Sequence, residues 1–291
     1  CNGFGDSMEL LIRLLNKTHN TIAIEHPGYF VTRQIFEANN YKIKKIPVDA
    51  NGIDLDELEK SIARLVYLTP SHQYPTGVTI PISNRLKLLD WAQKNDALII
   101  EDDYDSELTY ENRPVPCMQG LDRLGKVIYV GTFAKSLSPA IRVSYLVVPQ
   151  FLLEAFNDVF ESRVCLFTQK TLEMFINQGH WDRQLRKMRT LNKKKYMLMK
   201  KSLEENLGSN MKIVNQSGGL AIYIHPTVAF DWEKLKSFAT QKKIKLHFAK
   251  DKVGGEWEAL MMGFGGLKEQ EIEPAIKIFS SIWKECIKTA L

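Results

Sequence analysis

Residues 127–148 read VIYVGTFAKSLSPAIRVSYLVV. Two short apolar runs, Val127–Val130 and Val143–Val148, enclose a stretch rich in Gly, Ser and Pro. That is the pattern of two strands joined by a loop. Similar runs recur upstream at Thr21–Ile24, Lys42–Val48, Leu65–Thr69 and Ala97–Ile100. Several lack polar alternation and read as strands buried on both faces, as parallel strands are. Helical segments lie between them. One starts at the capping residue Asp54, with Glu57 three positions later, and reaches toward Arg64. Ser83 is placed to cap another that ends near Asn95. Strands and helices alternating in this way predict an α/β fold with a mostly parallel, doubly wound sheet.

The rhythm changes after Pro149. Helical segments dominate from Gln150 to about Asn206, and a long one runs from Trp181 to Asn206. Beyond it lie strand-like runs at Lys212–Val214, Leu220–Ile224, Lys245–Phe248 and Ala259–Gly263. A helix is expected around Asp231–Lys242, and a last one from Glu269. The expected organisation is a large domain over 1–180, then a linking helix and a smaller C-terminal α/β domain over 181–291.

The 291 residues are 44% apolar and 25% charged, which excludes collagen, a coiled-coil rod and a disordered tail as descriptions of the whole. The four cysteines, Cys1, Cys117, Cys165 and Cys286, form no CxxC pair. Their scatter argues against a zinc site or a disulfide framework and fits a reducing cytoplasm. No apolar run approaches the roughly 20 residues of a membrane span, and no secretory signal is visible. The expected location is cytoplasmic, with no membrane partner. The chain opens on Cys1 rather than methionine, as a fragment would.

In an open α/β sheet, ligands bind beyond the carboxyl ends of the strands. There the sequence places Glu25-His26-Pro27-Gly28-Tyr29, then Thr69 to Gly77, then Glu101-Asp102-Asp103-Tyr104-Asp105, then Gly131 to Lys135 with Arg142 seven residues on. A lysine at the mouth of an apolar site can form a Schiff base with an aldehyde. A carboxylate can hold a pyridinium nitrogen. An arginine grips phosphate bidentately, helped here by the Thr132 hydroxyl, and a tyrosine face covers a flat ring. Together these describe a pocket for pyridoxal 5′-phosphate.

The segment GTFAKSLSPAIR resembles the lysine segment of fold-type I aminotransferases. The resemblance implies Lys135 as the Schiff-base lysine, with Thr132 and Arg142 on the phosphate. EDDYDSE is similar to the segment that carries the pyridine-nitrogen aspartate and the ring-hydroxyl tyrosine, which places them on Asp102 and Tyr104. Tyr29, in HPGY, matches the residue that stacks on the ring. CNGFGDSMELL resembles the phosphate turn leading into a helix, so the amides of Phe4 and Gly5 are expected to face the phosphate. TPSHQYPTG and EDDYDSE resemble signatures of MocR-type transcription regulators of the GntR superfamily. Ordinary aminotransferases have asparagine where Tyr74 stands. MocR proteins join a winged-helix DNA-binding domain to an aminotransferase-like effector domain. The resemblance covers nearly the whole chain, with the winged helix and the residues before the phosphate turn outside it. It implies a homodimer, and DNA contact through that winged helix.

Several residues keep two readings. His72 either contacts the cofactor's ring hydroxyl or is a satisfied core histidine. Asp102, Asp103 and Asp105 could suggest a metal cluster, but no further ligand stands at a recognised spacing, so no metal is assigned. Asp103 and Asp105 are expected to fix the loop by local hydrogen bonds. Residues 183–201 carry nine basic side chains and no acidic one. Taking those nine from 39 leaves 30 basic against 34 acidic residues elsewhere, so the net charge of +5 resides in that helix. It is either a solvated face or one that lies near DNA or the winged helix.

Function turns on one position. In aminotransferases and in amino-acid-sensing MocR regulators, an arginine near the C-terminus binds the amino-acid carboxylate, in a run close to GFARL. Here the run is Gly263-Phe264-Gly265-Gly266-Leu267, with Gly266 in the arginine's place. The resemblance then implies a cofactor-binding sensor without turnover and without catalytic residues. It is most similar to the PdxR type, which controls vitamin B6 synthesis genes in response to pyridoxal phosphate. A regulator sensing an amino acid and a true aminotransferase are the alternatives.

Overall fold

The computed structural model describes residues 1–110, 115–214, 218–250 and 258–288. Two compact units emerge. The first comprises Cys1–Tyr74, Val78–Glu107 and Arg113–Arg186, and the second Pro75–Gly77, Leu108–Asn112 and Lys187–Leu291.

The first unit holds a seven-stranded sheet of β1 (Thr21–His26), β2 (Lys42–Asp49), β3 (Gly52–Ile53), β4 (Leu65–Leu68), β5 (Leu98–Asp103), β6 (Val127–Thr132) and β7 (Ser144–Val147). The spatial order is β3-β2-β1-β4-β5-β6-β7. Neighbours from β2 to β6 pair in parallel, while β3 and β7 close the two edges antiparallel. Every residue of β4 and β5 is buried. Alternate side chains feed two cores. Ile22, Ile24, Tyr67, Ile100 and Val130 pack with Met8, Leu11 and Leu15 of the helix Phe4–Leu15. Ala23, Val66, Leu68, Ile99 and Val127 pack with Leu58 of the helix Leu55–Lys60 and Leu88 and Trp91 of the helix Ile82–Lys94. The sheet is therefore covered on both faces, as its uninterrupted apolar strands require.

The second unit is built on a four-stranded antiparallel sheet of β8 (Met211–Ile213), β9 (Ala221–Pro226), β10 (His247–Lys250) and β11 (Glu258–Gly263), in the order β10-β11-β9-β8. Its core joins Ile222, Ile224 and Leu260 to Tyr196, Met199 and Leu203 of the helix His180–Leu207. Leu235 and Trp283, from the helices Trp232–Gln241 and Glu269–Glu285, complete it.

Two local expectations change. Ser83 does not cap its helix. The helix starts two residues earlier, at Ile82, with Pro81 at the cap and the Pro81 carbonyl accepting from the Asn84 and Arg85 amides. More consequentially, β5 does not stop at Ile100. Glu101, Asp102 and Asp103 stay in the ladder, level with Tyr129, Val130 and Gly131 of β6. Acidic residues disfavour strands, and only tertiary partners overrule that preference. Glu101 obtains its partners from the amides of Met118 and Gln119, each at 2.8 Å.

Asp54 caps its helix by accepting from the amides of Asp56 at 2.9 Å and Glu57 at 3.0 Å. Asp54→Ala should lower the unfolding free energy by about 1 kcal/mol, measured by urea denaturation. No change would show that water satisfies those amides as well as the carboxylate does.

Candidate functional site

The parallel strands β1, β4, β5 and β6 lie side by side, so their carboxyl ends share one edge of the first unit. The chain order reverses between β1 and β4, which makes the crevice there the favoured ligand position for an open sheet. Tyr29 follows β1, His72 follows β4, Asp102 and Tyr104 lie at the end of β5, and Thr132 ends β6 with Lys135 just beyond.

Asp102 is 5% exposed and accepts a short hydrogen bond at Oδ2 from the Tyr67 hydroxyl. Its Oδ1 makes no hydrogen bond to a described residue. Burial pushes its carboxyl up to about 7; Tyr67 opposes that rise, while Asp103, Asp105 and Glu25 add to it. Asp103 projects to the opposite face, where it accepts from Tyr129 and Ser106 at 2.8 Å each. Its bond to Ser106 is local, as expected. Asp105 is not locally engaged. It meets His72 Nδ1 at 3.1 Å, 33 residues away in the chain.

His72 is satisfied at one ring nitrogen only. Nδ1 is satisfied by Asp105, whereas the buried Nε2 has no partner among the described residues. Burial pulls its pKa down, but the Asp105 carboxylate outweighs burial and the net movement is upward. The Tyr104 ring stacks on the imidazole at 6.2 Å, and its hydroxyl donates to the His72 carbonyl at 2.8 Å. Tyr29 is half-buried and packs edge-on against Phe4 at 5.6 Å and Tyr74 at 5.3 Å.

A second cluster forms where the chain start meets β7. Gly3 precedes the helix Phe4–Leu15 with φ +80°. A Cβ on Gly3 would lie 2.8 Å from the Arg142 guanidinium, so a glycine is required for that arginine to lie over the turn. Arg142 itself is left-handed, with φ 52°. The Ser144 amide donates to the Cys1 carbonyl at 3.0 Å, and the Ser7 and Ser144 hydroxyls bond at 2.8 Å. Both contacts hold the turn beside Arg142. The first-turn amides of Phe4 and Gly5 stand at the positive end of a 12-residue helix. Thr132 Oγ1 accepts from the Ala134 amide at 3.1 Å, shaping the loop that carries Lys135. Lys135 is exposed rather than sunk among apolar groups, because its loop stands beyond the sheet's end.

These groups fit pyridoxal phosphate. A cation over a glycine turn at a helix N-terminus suits a phosphate. A buried carboxylate with one oxygen unpartnered suits a pyridinium N–H. Tyr67, Glu25 and the Asp105–His72 pair were not foreseen. Glu25 is buried and accepts at Oε2 from the Thr69 amide at 3.1 Å and the Thr69 hydroxyl at 2.6 Å, while its Oε1 has no partner among the described residues. A buried tyrosine in LVYL does signal a hydroxyl in need of a partner, though not which one. Among the described residues, no group of three His, Cys, Asp or Glu is placed to hold a metal ion.

Asp102, Glu25 and Glu101 are each pushed up to about 7, chiefly by burial. The folded chain therefore holds these protons more tightly than the unfolded chain, whose carboxyls titrate near about 4. Stability from these groups is fully present below that range and is lost as pH rises through about 7. The melting temperature of the unliganded chain should fall between about pH 5 and about pH 8. Asp102→Asn should flatten that fall. A melting temperature that rises across the interval would refute the assignment.

The family described as "Aminotransferase class I and II" matches residues 1–246. An uncharacterized HTH-type transcriptional regulator, YdeL of Bacillus subtilis, is 36% identical over 269 residues, which is 91% of this chain and 58% of that protein. The HTH-type pyridoxine biosynthesis transcriptional regulator PdxR of Corynebacterium glutamicum is 30% identical over 221 residues, 75% of this chain and 48% of that protein. The chain thus spans about half the length of these relatives. The crystal structure of a multiple substrate aminotransferase from Thermococcus profundus superposes with a TM-score of 0.85 at 25% identity, covering 98% of this chain and 74% of that one. Among the described residues, no helix is long and apolar enough to cross a membrane. The chain belongs to the aminotransferase class I and II family, with the fold-type I architecture and pyridoxal 5′-phosphate as its cofactor.

Proposed function

We propose that the chain is the pyridoxal-phosphate-binding effector domain of a MocR-type transcription regulator of the PdxR type. In this reading it is cytoplasmic, controls vitamin B6 synthesis genes in response to the cofactor, and does not turn over amino acids. The observation that carries the reading is Gly266. It is exposed, and among the described residues no heavy atom beyond its chain neighbours lies within 4 Å of the place its Cβ would take. Packing does not demand a glycine there, so the absence of an arginine is not a steric necessity of the fold. Without that bidentate partner, an amino-acid carboxylate loses one of the stronger polar contacts available to it. The similarity to YdeL and PdxR supports a regulator.

Asp102 then holds the ring nitrogen, Tyr104 and His72 the ring-hydroxyl side, and Tyr29 covers the ring. Arg142, Thr132 and the Phe4 and Gly5 amides hold the phosphate. Lys135 is the covalent anchor. When bound, the cofactor supplies an electrophilic aldehyde on an electron-withdrawing ring. DNA is contacted through a winged-helix domain outside these 291 residues. The functional unit is a homodimer, a reading supported by the helix Leu166–Asn177, which exposes Leu166, Phe167 and Met174. The fold and the presence of Asp102, Lys135 and Arg142 in the sequence favour a second reading, a true aminotransferase.

Titration with pyridoxal phosphate should raise a visible absorption band that Lys135→Ala lacks. Amino acids added one at a time should leave the band unchanged. Loss of the band with keto-acid release would establish the aminotransferase instead, and a saturable shift without turnover would point to a regulator that senses an amino acid. Sedimentation at micromolar concentration should show a dimer that Phe167→Asp weakens. A parent chain that is monomeric throughout would count against the homodimer.

A further inference from the structure

We infer that Tyr67 is a positioning residue for the cofactor site: its hydroxyl occupies Asp102 Oδ2, holding the carboxylate as an anion with Oδ1 directed to the ligand. This rests on the pyridoxal phosphate reading for the identity of the ligand, but not for the pair itself. Tyr67 lies on β4 and Asp102 on the adjacent β5, and the two backbones run in one parallel ladder. The tyrosine is 1% exposed and the aspartate 5%. Phe4 packs edge-on against the Tyr67 ring at 6.4 Å, so the residue that opens the phosphate-side helix also braces the tyrosine.

The chemistry follows from donors and acceptors. A phenol O–H that donates to Oδ2 needs a lone pair there, so any proton on the carboxyl must sit on Oδ1. Oδ1 is the oxygen without a described partner. One hydrogen bond therefore fixes both the rotation of the carboxyl group and the oxygen left for a ligand N–H. It also opposes a hostile field. The charges of Asp103 on its own strand, Asp105 in the following loop and Glu25 on β1 act on Asp102, and Tyr29 stands near it from the loop after β1. Burial and all three carboxylates favour the neutral acid; the Tyr67 bond is the described contact that favours the anion.

Tyr67→Phe removes the hydroxyl and keeps the packing. In the unliganded chain, the ¹³Cγ resonance of Asp102, identified by its absence in Asp102→Asn, should titrate near about 7. The variant should titrate about one pH unit higher, while 3-fluorotyrosine at the same position, a stronger donor, should titrate lower. Pyridoxal phosphate binding provides the second readout. The variant should match the parent at about pH 9.5 and bind about tenfold more weakly at about pH 6, the factor that one pH unit implies. A purely structural role would give a ratio independent of pH and would overturn the inference, as would an unmoved Asp102 titration in both substituted chains. A parent that shows the Asp102 titration but never binds pyridoxal phosphate would sink the cofactor reading and leave the Tyr67 pair standing.

Discussion

Parallel strands that share one ladder must end on the same edge, and in this chain two of them, β1 and β5, end on acidic and polar residues. β1 ends on Glu25 and His26, and β5 on Glu101, Asp102 and Asp103. A carboxylate cannot remain buried at the end of a strand without a partner. Each one therefore recruits a group from a neighbouring element: Glu25 takes Thr69, Glu101 takes two amides of the short helix Met118–Leu121, Asp102 takes Tyr67, and Asp103 takes Tyr129. The site is the residue of that accounting. Where an oxygen or nitrogen is left over, as at Asp102 Oδ1 and His72 Nε2, a ligand can be met.

Alternation along β5 separates the acids by role. Asp102 points to the face covered by the helix Phe4–Leu15. Glu101 points to the other face, where Arg85 lies 3.9 Å away, fully buried and donating to the carbonyls of Ile80, Pro116 and Pro70. Glu101 and Arg85 hold the scaffold together, and Asp102 faces the crevice. A one-residue slip in register would exchange them and bury the wrong carboxylate behind the sheet.

Much of this was legible in the sequence because turn chemistry is local. Gly3, Pro139 and the Gly131–Lys135 run announce their loops, and the loops carry Arg142 and Lys135. The strands were legible in kind but not in length. EDD reads as loop because acids disfavour strands, and the compensating partners come from residues 17 to 35 positions away. The His72–Asp105 and Tyr67–Asp102 pairs were invisible for the same reason: each depends on the register of two strands, which no single window of sequence contains. Gly266 was legible as a departure from a pattern. The structure adds that no described residue beyond its chain neighbours crowds the place of a Cβ there.

The two ends of the site differ in how they handle charge. At the phosphate end, a permanently charged arginine and a helix terminus present positive potential at any physiological pH. At the ring end, burial pushes the Asp102 carboxyl up to about 7 and the Tyr67 hydroxyl opposes that rise. A ligand that is anionic at one end and carries a protonated ring nitrogen at the other satisfies both, because the Asp102 carboxylate, which the Tyr67 hydrogen bond favours as the anion, is the counter-charge to that N–H. That pairing of charges suits the two ends of pyridoxal 5′-phosphate.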